Sequence, residues 1–259
     1  FPGQMGIFGA VFATGLAPII SMAVLSSHFI KGKNQFRLVL SRPHKKTMTG
    51  IVTSGVPSLV TELSSGIVII IFNAIILKLE GNTGVAAYGV IANLSLVVTA
   101  IYTGIAQGIQ PIISMNYGVK NTDNIRAILR YALITMALLS AGIYITVLLG
   151  AYQIAGVFNS EGNPLLQSIA TEGLRLYFTA CPFAGFNIIL AMYFTACDNP
   201  LPAHIISILR GFIVIIPMAF LLSALWDILG VWCTFPATEF LVAGVALCFL
   251  IANQKKLSR

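Results

Sequence analysis

Apolar runs separated by short polar breaks organise this chain, and seven of the runs are long enough to cross a bilayer. They extend from about Met5 to Ile30, Met48 to Leu77, Gly84 to Asn116, Ile125 to Gly150, Ser168 to Ala196, Ala203 to Leu225 and Leu229 to Ala252. A helix rises about 1.5 Å per residue and the hydrocarbon core is about 30 Å thick, so roughly 20 apolar residues suffice for one crossing. None of the runs alternates apolar and polar positions as a membrane-barrel strand must. The pattern therefore predicts an all-α, polytopic transmembrane bundle of about seven helices.

The polar residues inside these runs carry the chemistry. Glu62 sits near the middle of the second run, too deep to reach either headgroup layer easily. A carboxylate at that depth costs several kcal/mol unless it is protonated, paired or facing water, and such residues are functional candidates by default. Ser58, Ser65, Gly66 and Asn73 share its helix face, and Pro57 frees a backbone carbonyl just below it. The bland alternative is a structural acid bonded to a neighbouring helix. In the third run Thr99, Thr103, Gln107, Gln110 and Ser114 recur every three or four residues, forming a polar stripe interrupted by Pro111. Such a face suits a polar cavity, or hydrogen bonds between helices that only hold a bundle together. A second deep acid, Glu239, lies in the last run beyond Pro236, and Asn187 lies inside the fifth beyond Pro182. Arg210, a third of the way along the sixth run, either snorkels to the headgroups or pairs with an intramembrane acid.

Composition agrees with a membrane origin: 57% of the 259 residues are hydrophobic and 9% are charged. The net charge of +7 does not point to nucleic acid, because the cations fall in the breaks and report topology. Lys31, Lys33, Arg37, Arg42, Lys45 and Lys46 fill the first connector; Lys120, Arg126 and Arg130 a later one; Lys255, Lys256 and Arg259 the tail. These mark the cytoplasmic side, with Thr122 positioned to cap the fourth helix. Lys78 and the long connector from Tyr152 to Leu174, followed by Arg175, are expected outside. Trp226 and Trp232 are expected in the outer interfacial belt, and Asp198 in a capping or solvated turn. Cys181, Cys197, Cys233 and Cys248 lack metal-ligand spacing and read as packing thiols, and the three histidines form no cluster, so neither a metal site nor catalytic residues are expected. The chain begins Phe-Pro-Gly, without a Met or a basic leader before its first apolar run, which is the beginning expected of a piece of a longer protein. Six helices after a basic connector make a natural repeat half, with the first helix left over from the half before.

The stretches GVPSLVTELSSGIVIIIFN, AAYGVIANLSLVVTAIYTGIAQGIQPIISMNYG, ISILRGFIVIIP and GVWCTFPATE, in this order and spacing, resemble the MATE family of multidrug and toxic compound extruders, and most of all its MepA-like branch. The resemblance covers essentially the whole chain. It implies a twelve-helix transporter of two six-helix lobes around a central cavity, with alternating access and export of organic, often cationic, compounds against protons or sodium ions, and no cofactor. In that frame residues 1–30 end the N-terminal lobe, 31–47 form a basic cytoplasmic linker, 48–252 form the C-terminal lobe and 253–259 a cytoplasmic tail. The implied partners are small organic cations, membrane lipids and the other lobe of the same transporter, in a bacterial inner membrane. Glu62 matches the position of a coupling acid in NorM-like members. Those members also carry an Asp in the helix matching the fifth run, where this chain has Asn187 and no interior acid. The expected assignments are Glu62 for the coupling ion or proton, Ser65, Asn73, Thr103, Gln107, Gln110 and Asn187 for the cavity, and Glu239 as a possible second acid.

Three alternatives stand beside this reading. A lipid-linked oligosaccharide flippase shares the architecture but usually meets pyrophosphate with several intramembrane cations, and Arg210 is the sole candidate here. A membrane enzyme needs a polar catalytic cluster, and the deep acids and histidines are dispersed along the chain. A non-transporting scaffold has little use for kinked helices with deep acids.

Overall fold

The computed structural model describes residues 6–30, 44–160 and 162–257; the basic connector from Lys31 to Arg42, Glu161 and Arg259 lie outside them. The chain divides into two units, Phe1–Met48 and Thr49–Arg259. The first contains α1 (Gly6–Ile30), which carries Pro18 and leaves Ile19, Ile20, Met22 and Leu25 exposed. The hydroxyls of Ser26 and Ser27 donate to the carbonyls of Met22 and Val24, so neither brings an unmatched donor into its apolar surroundings.

The second unit is built from all but the first four residues of α2 (Lys45–Gly118), with α3 (Thr122–Phe158), α4 (Pro164–Tyr177), α5 (Cys181–Ala196), α6 (Pro200–Ile208) and α7 (Ile215–Leu257). Two of these are hairpins. The apolar stretch Glu62–Gly118 has 57 residues, which as one straight rod would measure about 85 Å, far more than a bilayer. It breaks at Gly81, whose φ of 65° and ψ of −156° lie in a region that essentially only glycine visits. Beyond the break the chain returns: a Cβ on Gly84 would lie 2.8 Å from Ile76, and the Phe72 and Tyr88 rings stack at 5.5 Å. Along a continuous helix those pairs would be about 12 and 24 Å apart. α7 breaks in the same way at Trp226 and Asp227, and Gly230 packs directly on the Leu222 carbonyl. With the hairpins opened, the described residues trace the seven crossings expected from the apolar pattern.

Several local expectations are corrected. The side chain that caps α3 is Asn121, whose Oδ1 accepts from the Asn124 amide at 3.2 Å, and Thr122 is the first helical residue. The connector between α3 and α4 is much shorter than Tyr152 to Leu174. α3 runs on to Phe158 and α4 starts at Pro164, because Asn163 caps two amides and Pro164 supplies the preset φ of a first helical residue. The fifth crossing is not one smooth helix: a 3₁₀ turn, Phe178–Ala180, precedes Pro182 and joins α4 to α5. Of the two readings for Asp198 the solvated turn holds: it is an exposed turn residue with φ of 52°. Trp226 is exposed at the break in α7, but Trp232 is fully buried. It stacks with Tyr88 and covers Gly173, where a Cβ would meet its ring at 2.9 Å and Ile91 at 2.5 Å. The missing side chain at position 173 is what lets α4, α7 and the second arm of α2 converge.

Candidate functional site

Two polar features are set into this apolar bundle, one on its surface and one inside. On the first arm of α2, Glu62 and Ser65 are exposed and Asn73 is half-buried. Among the described residues no hydrogen bond or ion pair engages Glu62, and the neighbouring Ser64 turns inward, where Gly211 packs against its Oγ. On the second arm Thr99, Gln107 and Ser114 are exposed, with Thr103 and Gln110 half-buried. The helix keeps helical φ/ψ through Pro111, so the stripe remains on one face. The side chains of Pro57 and Ser58 lie outside the described ones. Other exposed positions on α2 are Leu63, Ile70, Leu96, Val97 and Ile101, as a surface against hydrocarbon requires. Bilayer tails offer no partners to the Glu62 carboxylate or to the Gln107 and Gln110 amides, so this part of the surface must meet water or protein.

The interior feature joins three elements. Arg210 lies in a π-helical turn, Leu209–Ile213, and its Nε and Nη2 donate to Glu239 Oε1 at 3.1 and 2.6 Å. Asn187 Nδ2 on α5 donates to Glu239 Oε2 at 2.7 Å and to the Glu239 carbonyl at 2.9 Å. Glu239 is 1% exposed and Asn187 0%, while the Arg210 side chain keeps 19%. Both carboxylate oxygens are thus engaged, and the pair is neutral overall. Among the described residues Asn187 Oδ1 has no hydrogen-bond partner, nor do Thr238 Oγ1 and Trp232 Nε1.

This geometry settles the choice left open for Arg210, which pairs with an intramembrane acid and does not snorkel to the headgroups. Asn187 does not reach the surface expected to line a cavity, because its amide is turned inward to Glu239. The remaining expected cavity residues, Ser65, Asn73, Thr103, Gln107 and Gln110, all have some exposed surface on the two arms of α2. What residue reading missed was the Asn187–Glu239 contact across 52 positions. The available signal was charge balance: of three intramembrane charges, Arg210 and one acid cancel, and one acid is left over. Elsewhere, Tyr102 and Ser140 share a buried hydrogen bond of 2.8 Å between α2 and α3. Among the described residues no group of His, Cys, Asp and Glu is arranged to hold a metal.

Comparison with known proteins gives a consistent picture. The MatE family model matches residues 57–221. Multidrug export protein MepA of Staphylococcus saprophyticus is 22% identical over 260 residues, covering all of this chain and 56% of the relative. That of Staphylococcus haemolyticus is 24% identical over 258 residues, covering 98% and 56%. The chain therefore spans about half the length of the curated relatives it matches. Among solved structures, a MATE protein in complex with MaL6 superposes with a TM-score of 0.87 at 19% identity, over 98% of this chain and 58% of that one. The outward-facing conformation of a multidrug resistance MATE family transporter of the MOP superfamily gives 0.86 at 18% identity, over 99% and 59%.

Proposed function

Because the chain belongs to the MatE family, we propose that it is the C-terminal half of a secondary antiporter that exports organic, mainly cationic, compounds in exchange for protons or sodium ions. The observation that carries this reading is the polar face of α2, with Glu62 at membrane depth on the surface of an otherwise apolar lobe. A second lobe opposite that face would enclose a cavity and give the acid an aqueous exposure that lipid cannot. Glu62 then serves as the exchange group. Protonated, it is neutral and tolerates a dry cavity; ionised, it attracts a cationic compound or a metal cation, so the two occupants exclude one another. Ser65, Asn73, Thr103, Gln107 and Gln110 supply hydrogen bonds along the same wall.

The Arg210–Glu239 pair has a different task. With both Glu239 oxygens engaged, the ion pair forms an internal brace, neutral overall, between α5, the π turn and α7, and Asn187 positions the carboxylate from behind. The same pairing takes Arg210 away from pyrophosphate recognition and lowers the flippase alternative. In this reading the basic breaks and the C-terminus face the cytoplasm of a bacterial cell.

Labelling with a membrane-impermeant thiol reagent tests the cavity assignment, using the full-length protein with Cys248 removed. Cysteines at Ser65 and Gln107 should react, and a bound organic cation should slow the reaction, whereas cysteines at Ile70 and Leu96 should stay unlabelled. Equal labelling of the two sets, or no protection by the cation, would remove the cavity face.

A further inference from the structure

At the end of the bundle away from the Gly81 and Asp227 turns, a cleft of about 380 Å³ opens between the first turns of α3 and the last helix. This size falls within the roughly 300–1,000 Å³ of small-molecule sites. Its floor is apolar, made of the buried Leu129 and Leu250, and Leu133 and Ile134 continue it along the next turn of α3. Its polar lining consists of Arg126 and Arg130, spaced i, i+4 and therefore side by side on one helix face. No acid lines it. Asp123 stands outside, 93% exposed and 3.9 Å from Arg126, a solvated contact too weak to neutralise the site. An Asn253–Tyr193 hydrogen bond of 3.4 Å ties the last helix to α5 beside the cleft.

We propose that this cleft binds an anionic phospholipid, with the phosphate at Arg126 and Arg130 and an acyl chain along Leu129, Leu133 and Leu250. Paired guanidinium groups are suited to bidentate phosphate contacts. Arg126 to Ala137 spans about 16 Å of helix, so the charged mouth and apolar track run in the direction a lipid takes from headgroup to tail. Lys120, exposed just before α3, adds to the positive field at this end. A free inorganic anion uses only the mouth and leaves the apolar floor uncovered. Each basic residue near an anionic headgroup contributes about 1 kcal/mol, so two favour an anionic over a zwitterionic lipid by about ten-fold or more. The inference is independent of what the full-length protein transports.

Native mass spectrometry of the full-length protein in detergent tests it, with phosphatidylglycerol and phosphatidylcholine of matched chains added at equal concentration and glycerol phosphate as a soluble competitor. Wild type should retain phosphatidylglycerol about ten-fold better, R126Q/R130Q should lose that preference, and R126K/R130K, which keeps the charge but not the bidentate fork, should keep the preference while holding both lipids more weakly. Ala137→Trp, which fills the track without changing charge, should reduce retention of both lipids. Size-exclusion profiles and melting temperatures identify any variant that fails to fold; if R126Q/R130Q does, R126Q and R130Q singly carry the comparison, each expected to lose part of the preference, and an undiminished preference in both would overturn the proposal. Equal retention of the two lipids by wild type, an undiminished preference in folded R126Q/R130Q, or displacement by glycerol phosphate at lipid-like concentrations would overturn the proposal.

Discussion

Arg210 and Glu239 illustrate how differently one side chain and a pair of side chains weigh inside a membrane. Removing one partner of a buried ion pair leaves an uncompensated charge and typically costs 3–5 kcal/mol, while replacing both by apolar residues of similar volume is often neutral. Arg210→Ala in the full-length protein should therefore lower the thermal midpoint in detergent by several degrees, and R210M/E239L should recover most of the loss. Glu239→Gln should fall between them, since it keeps an acceptor for Asn187 Nδ2 but gives up the charge facing Arg210. If the double variant proved no better than Arg210→Ala, the pair would have a role beyond bracing. Glu62 is exposed, so Glu62→Gln should leave the midpoint within the small range of surface substitutions.

The hairpins that fold α2 and α7 back on themselves use the same backbone shape with different residues. Gly81 adopts its positive φ without strain, whereas Asp227 holds φ 49° and ψ −131°, where a side chain is disfavoured by about 1–3 kcal/mol. Gly81→Val should thus destabilise the lobe by about that amount, and Asp227→Gly should stabilise it by about 1 kcal/mol after the added chain entropy of glycine is counted. Chemical denaturation of the two variants in detergent checks both signs. At this level the sequence was informative wherever a rule is local. Run length gave the crossings, and Gly-Asn-Pro marked a helix start, although the connector around it was read too long because Tyr152 to Phe158 is apolar enough to continue α3. Trp232 went astray because a tryptophan one turn from a helix end suits the interface equally well; only the gap over Gly173, formed by another helix, assigns it to the core. The same limit applies to Asn187: its partner lies 52 residues away, and no spacing rule reaches that far.

For the whole molecule the decisive asymmetry is one of charge and surface. The second unit neutralises Arg210 against Glu239 and leaves Glu62 on an exposed polar face, which is the face proposed to border the cavity. Relatives nearly twice as long are consistent with a second lobe opposite that face. The measurement closest to this claim is efflux of ethidium from cells expressing the full-length protein, wild type against Glu62→Gln at equal membrane abundance, with sodium and proton gradients imposed separately. Wild type should extrude the dye under one of the two gradients, and Glu62→Gln should reduce that extrusion to the level of cells without the protein. Equal efflux by both would contradict Glu62 as the exchange group and move the coupling acid to the other lobe.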